Sequence, residues 1–211
     1  MKEARGQQMN VVIFGAAGMV GQGVLRECLR DTSVERALVI GRSSAGRQHA
    51  KLQEVLVHDL FDVALYASEL TGLDACFFCL GISSAGMSEP AYRHLTYDLT
   101  TAIAGELATR SPALCFVYVS GAGTDSTERG RSMWARVKGG NRECTAGHAI
   151  SQCIHVSAGS HSAARRHSLE DACLSARICA DRARAAATAP CFPEFGFHHS
   201  RDRTGHACRG T

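Results

Sequence analysis

Apolar residues in the first two thirds of the chain fall into short blocks separated by turn residues. Val11 to Phe14 is an unbroken apolar run and reads as a buried strand, and Val20 to Leu29 then carries a helical pattern. Ala37 to Ile40 reads as a second strand. Glu54 to Leu60 gives a third, with Asp59 at its end and a helical segment from Val63 to Leu70 behind it. Leu73 to Gly81 gives the fourth, and its continuous apolar character suits a central parallel strand covered on both faces. Ala91 to Arg110 predicts a long helix, with Leu95, Leu99, Ile103 and Leu107 spaced four apart on the face that covers the sheet. Ala113 to Ser120 is the fifth strand. Strands alternating with helices predict an α/β fold, a doubly wound parallel sheet of about five strands to residue 120.

The pattern changes after Lys138. Such a sheet still needs another βα unit and at least one more strand, and Gly140 to Thr211 does not supply them. Runs longer than two or three apolar residues vanish there. Arg, His, Ser, Ala and Cys dominate, as in His161-Ser-Ala-Ala-Arg-Arg-His167. The chain therefore divides into an ordered unit, 1–139, and a tail, 140–211, expected to be incomplete, irregular and poorly packed.

The length of 211 residues suits one α/β domain, and a hydrophobic content of 45% is enough for a core. A net charge of +3 is too small to argue for nucleic acid or an acidic membrane. No apolar run reaches transmembrane length, and Met1 to Gln8 is polar rather than signal-like, so a cytoplasmic location is expected. Met9 directly precedes the first strand, which makes Met1 to Gln8 a dispensable extension or an upstream start. Without a secretory signal, the ten cysteines do not read as a disulfide framework. Cys76 and Cys79 form a C-x-x-C, but an odd step along a strand sends the two side chains to opposite faces. They are read as core thiols, not as a redox pair or a metal half-site, and no metal is expected.

The candidate chemistry begins at Asn10-Val-Val-Ile-Phe-Gly-Ala-Ala-Gly-Met-Val-Gly21. Strand, glycine turn and helix in that order are the context of a dinucleotide-binding loop. Gly15 allows the tight turn, Gly18 lets the backbone approach a pyrophosphate, and Gly21 lets the helix pack on the strand. The N–H groups at the helix start then face the phosphates, with Ala17, Met19 and Val20 as further loop contacts. A plain Gly-rich turn is the alternative. The end of the second strand meets the adenosine ribose, where an acid selects NAD and an Arg accommodates the 2′-phosphate of NADP. Here Gly41, Arg42 and Ser43 follow the strand with no acid, which favours NADP over NAD, although Arg42 also reads as a solvated loop cation.

The spacing G-x-x-G-x-x-G resembles that of the short-chain dehydrogenase/reductase superfamily, a Rossmann fold. Gly-Ala-Ala-Gly-Met-Val-Gly is similar to its extended and atypical branch, the epimerase/dehydratase-like proteins. The resemblance covers about the first two thirds of the chain. It implies that Asp59 meets the adenine edge and Leu60 packs on the ring; an N-cap role for Asp59 ahead of Val63 stays open. It implies that Leu80, Gly81 and Ile82 lie where the chain wraps the nicotinamide ribose. It implies that Ser120, at the end of the fifth strand, orients a substrate carbonyl. The family carries a Tyr-x-x-x-Lys pair on the next helix, the Lys holding the ribose and lowering the Tyr pKa, the Tyr exchanging the proton. This chain has Lys138, but Trp134 four positions before it. An indole N–H donates a hydrogen bond and cannot serve as an acid or base near neutral pH. Either another group, such as Tyr97, transfers the proton, or the protein binds a nucleotide without ketoreductase activity. The expected reaction is hydride transfer with a small carbonyl or sugar-like molecule; the alternative is a non-catalytic regulator or partner-binding protein on the same scaffold. The oligomeric state is open.

Three readings compete for the tail. A Cys/His metal-binding segment lacks the paired short spacings such sites use. A nucleic-acid arm would want Lys and interleaved aromatic residues. The third is that the segment is translated out of frame. Shifting the frame by one base near Gly140 permits Glu-Thr-Glu-Asn-Ala-Leu-Leu and then a Phe-Arg-Pro-Gly turn, similar to what the resembled family places after its Lys. The third reading is favoured.

Overall fold

The computed structural model of the chain describes residues 8–121, 123–125, 127–147 and 152–158. Six parallel strands form one sheet in the order β3-β2-β1-β4-β5-β6. They are β1 (Met9–Phe14), β2 (Val34–Gly41), β3 (Leu52–Leu56), β4 (Ala75–Phe78), β5 (Cys115–Gly121) and β6 (Gln152–Ala158). The sheet is α/β and parallel, as the alternation of apolar blocks predicts.

Alternation along each strand sorts the core into two layers. Val11, Ile13, Val39, Phe77 and Val117 face α1 (Met19–Arg30), whose Val24, Leu25 and Cys28 are buried on them. Val12, Phe14, Leu38, Cys76, Phe78 and Phe116 face the other way, against Leu99, Ile103 and Leu107. Cys76 therefore lies in one layer, and Cys79 packs on the other, as the odd spacing requires. The fifteen-residue helix α4 (Met133–Gly147) follows β5.

The long helix predicted over Ala91–Arg110 starts two residues earlier. The Ser88 hydroxyl caps it by accepting the Ala91 amide, and Pro90 sits in its first turn. It runs as α2 (Glu89–Arg93), a π-turn (His94–Asp98) and α3 (Leu99–Arg110). The extra residue of a π-turn rotates what precedes it, so Leu95 leaves the apolar stripe and is 45% exposed while Leu99 stays buried. The Thr96 carbonyl of that turn accepts the Thr100 hydroxyl at 2.5 Å and the Asn141 amide at 3.2 Å.

Two further elements differ from the sequence reading, besides β3, which runs Leu52–Leu56 rather than Glu54 to Leu60 and leaves Asp59 in the loop beyond it. Val63 to Leu70 is not an α-helix but two 3₁₀ turns, Val63–Leu65 and Ala67–Leu70. Tyr66 is drawn fully into the core beside Phe14, and its hydroxyl donates to the Leu60 carbonyl at 2.5 Å, which overrides helical propensity. Asp59 does not cap a helix; its carboxylate accepts the Phe61 amide at 2.9 Å in an Asx turn. The second difference is β6. A strand does follow Lys138, after a helix that continues to Gly147, and it pairs with β5 from Cys115↔Gln152 to Gly121↔Ala158. Its sequence alternates Ile154, Val156 and Ala158 with polar residues and has no continuous apolar run; alternation suits a strand at the sheet edge. Expectations about residues 159–211 lie outside the described residues.

Candidate functional site

The strand order changes direction between β1 and β4, and the loops after the strand ends open there into a cleft, the usual ligand position in open α/β sheets. Gly15 turns the chain out of β1 at φ +82°. A Cβ on Gly15 would lie 2.9 Å from the Cys79 carbonyl carbon and the Leu80 nitrogen, so only glycine lets β1 and β4 close here. The Gly18 amide donates to the Gly15 carbonyl at 3.0 Å and closes the turn. Gly18 is the N-cap of α1, and no acid occupies the first helical turn. Gly21 lies under the turn: a Cβ there would be 2.1 Å from the Gly15 carbonyl oxygen.

Gly15, Ala17, Gly18, Arg42, Ser43, Leu60, Leu80 and Gly81 line this cleft of about 600 Å³. An adjoining cleft of about 640 Å³ shares Arg42, Leu60, Leu80 and Gly81 and adds Asp59. The structure thus brings most of the sequence-derived cofactor residues to one groove. Met19 and Val20 do not line it: Met19 is 73% exposed, and Val20 packs on the core. Gly21 acts from beneath, by packing. Sequence reasoning missed the floor, Ala16, Val39 and Cys79, and Phe61, Leu95 and Leu99 of the apolar far wall; Ile82, on the same wall, was expected there with Leu80 and Gly81. The four-residue spacing of Leu95 predicts a core position, and the π-turn turns it out to 45% exposure instead.

Ser120 is buried at 3% exposure near the end of β5. Lys138 comes from α4, and its Nζ lies 4.0 Å from where a Gly81 Cβ would be and 6.0 Å from the Tyr118 ring centroid. The Trp134 ring, one helical turn before Lys138, lies across Gly121, where an added Cβ would come within 2.9 Å of it. Tyr97 is half-buried at the π-turn, with its ring against Gly140 of α4 and the Arg93 guanidinium 4.1 Å above it. Asn141 was not foreseen. It is fully buried and donates to the Tyr118 hydroxyl at 2.9 Å and to the Thr96 carbonyl, joining α4 to β5 and the π-turn. Among the described residues there is no cluster of His, Cys, Asp or Glu able to hold a metal ion, and no helix long and apolar enough to cross a membrane.

Burial pushes the Lys138 ammonium below the ordinary lysine value of 10.5. In the interval between the two values the unfolded chain binds the proton and the folded chain has released it. Stability therefore rises with pH across that interval, and the buried charge is destabilising below it. Lys138→Met is expected to raise the melting temperature at neutral pH and to remove this part of the alkaline rise. Melting curves taken from neutral pH to 10.5 check it.

No protein-family model matches the sequence, and no curated protein matches it. Solved structures do. A short-chain dehydrogenase from Burkholderia cenocepacia in complex with NADP superposes with a TM-score of 0.65 at 11% identity, over 86% of this chain and 94% of that one. The fold is that of NAD(P)-binding Rossmann enzymes. The Bordetella bronchiseptica enzyme WbmF, in complex with NAD+ and UDP, shares this Rossmann fold with a TM-score of 0.58 at 17% identity, over 72% of this chain. The chain spans 50% of the length of WbmF and 57% of that of WbmH, a further Rossmann enzyme of the same organism in complex with NAD+. The carbonyl reductase Sniffer of D. melanogaster has the fold with a TM-score of 0.52 at 12% identity, over 66% of this chain and 71% of its own.

Proposed function

We propose that the chain is an NAD(P)-binding oxidoreductase of the atypical short-chain dehydrogenase type, acting on a small carbonyl or sugar-like molecule. The observation that carries this is the Gly15–Gly18 turn. It opens at the direction change of the sheet into a groove shared with Arg42, Leu60 and Gly81. The residues fit a dinucleotide. The amides at the start of α1 hold the diphosphate, Leu60 and Asp59 border the adenine end, and Gly81 and Lys138 border the nicotinamide ribose. When bound, the nicotinamide supplies a hydride to, or takes one from, a carbonyl-level carbon. Ser120 donates a hydrogen bond to the reacting oxygen, and Lys138 holds the ribose from the α4 side. The structures it resembles carry NAD in some cases and NADP in others.

The absence of an acid after β2, together with exposed Arg42 and Ser43 on the cleft, favours NADP. Calorimetric titration with NADPH and NADH tests this. Arg42→Ala is expected to weaken NADPH binding about ten- to a hundredfold, the value of a charge-assisted bond to phosphate, and to leave NADH nearly unchanged. Equal loss for both coenzymes would count against the assignment, and no saturable heat with either would overturn the function.

Trp134 favours a second reading: a nucleotide-binding protein that has given up proton transfer and serves as a regulator or binds a partner. For the tail, we propose from its Arg-, His-, Ser-, Ala- and Cys-rich composition that residues 140–211 are read out of frame from a gene whose original segment supplied the substrate side; the bonds of Asn141 and the pairing of β6 with β5 count against it. Resequencing the codons of Gly139 and Gly140 tests it directly.

A further inference from the structure

We infer that Glu54, which lines neither cleft, is the positioning residue that sets the coenzyme preference by fixing the loop that carries Arg42 and Ser43. The inference rests on the coenzyme assignment above. The connection from β2 to β3 holds no helix; it is a loop from Arg42 to Lys51. Arg42, Ser43 and Ser44 are exposed.

The next residue is different. Ala45 is buried at 5% among Val24, Val39 and their neighbours, and both of its backbone groups are held by side chains from other elements. Its amide donates to Glu54 Oε1 at 2.7 Å, and its carbonyl accepts Gln22 Nε2 at 2.8 Å. The other carboxylate oxygen, Glu54 Oε2, accepts the Ser44 hydroxyl at 2.8 Å, and that hydroxyl accepts the Gly46 amide at 3.0 Å. Gln22 also accepts Arg47 Nε at 3.2 Å. Glu54 on β3 and Gln22 on α1 thus clamp one residue from two sides. The three exposed residues before it are strung between that clamp and the end of β2. A carboxylate accepting a backbone amide and a hydroxyl is a stronger anchor than a neutral acceptor pair.

Glu54→Ala removes only the carboxylate bonds to Ser44 and Ala45; the strand pairing of Glu54 with Val39 of the cleft floor is backbone and stays, and the glycine turn holds no bond to Glu54. The substitution frees the loop end, so Arg42 must be ordered when a 2′-phosphate arrives, and that ordering is subtracted from binding. A coenzyme without the phosphate does not call on Arg42 and does not incur the cost.

Calorimetric titrations of NADPH and NADH into the wild type, Glu54→Ala, Glu54→Gln, Ser44→Ala, Arg42→Ala and the Arg42→Ala/Glu54→Ala pair test the inference. Glu54→Ala is expected to weaken NADPH about tenfold and NADH less than about twofold. Ser44→Ala, an exposed change with no consequence for folding, moves NADPH in the same direction by a smaller factor. Glu54→Gln keeps an acceptor for the Ala45 amide and restores most of the loss. In the Arg42→Ala background Glu54→Ala adds nothing, because it acts through Arg42. Equal weakening of both coenzymes, no effect of Glu54→Ala and Ser44→Ala, or losses that multiply in the double variant would overturn the inference while leaving the coenzyme site standing. A wild type that takes up neither coenzyme overturns the site and the inference together.

Discussion

Gly21→Ala is expected to destabilise the folded chain by at least about 3 kcal/mol, the upper range for overpacking a filled interior. The added methyl would stand 2.1 Å from the Gly15 carbonyl oxygen, 2.7 Å from its carbon and 2.8 Å from Ala16 Cα. All three are backbone atoms of the turn that joins β1 to α1, so no rotamer change relieves the overlap. The helix has to lift from the strand, and Val24, Leu25 and Cys28 would lose their seats on Val11, Ile13 and Val39. A control separates this from ordinary glycine effects. Gly46 has φ +68° but open space around it, so Gly46→Ala bears backbone strain alone, roughly 1–2 kcal/mol. Urea unfolding of the two variants followed by circular dichroism makes the comparison. A Gly21→Ala protein no less stable than Gly46→Ala would show that α1 does not bear on the turn as described.

Trp134→Tyr is expected to raise carbonyl-dependent coenzyme oxidation by about a hundredfold or more, the lower range for a positioned proton donor. Trp134 and Lys138 lie four apart on α4 and therefore on one face. The indole covers Gly121 beside the buried end of β5, where Ser120 sits. A phenol is smaller and fits the same place. It would stand one turn from an amine whose burial has already lowered its proton affinity, and it would exchange the proton that indole cannot. Steady-state rates over a panel of small aldehydes, ketones and keto-sugars measure the gain, and adding Lys138→Ala is expected to remove it. An unchanged rate in a wild type that already turns over would place the proton elsewhere, with Tyr97 next to be tested.

The parts of the site legible in the sequence are those carried by contiguous residues. Gly15, Gly18 and Gly21 announce a turn whatever surrounds them. Arg42 and Ser120 are found at strand ends because the apolar blocks mark where strands stop; Asp59 and Gly81 fall in the loops three residues past β3 and β4. What was not legible depends on partners far apart in the chain. Asn141 meets Tyr118 and Thr96 only after α4 has docked, and Glu54 meets Ala45 only because no helix joins β2 to β3. The π-turn that exposes Leu95 has no periodic signature, since the four-residue spacing of Leu95, Leu99, Ile103 and Leu107 continues across it. β6 was missed for a different reason: a search for unbroken apolar runs finds central strands and passes over an alternating one at the edge.

The placement of Trp134 has a practical corollary. It is the only tryptophan in the chain, so ultraviolet emission excited beyond the absorption of the four tyrosines reports from a single spot, the indole over Gly121. Quenching or energy transfer to a reduced nicotinamide would register occupancy there without any attached dye, and loss of the emission shift on heating would time the release of α4 from the sheet.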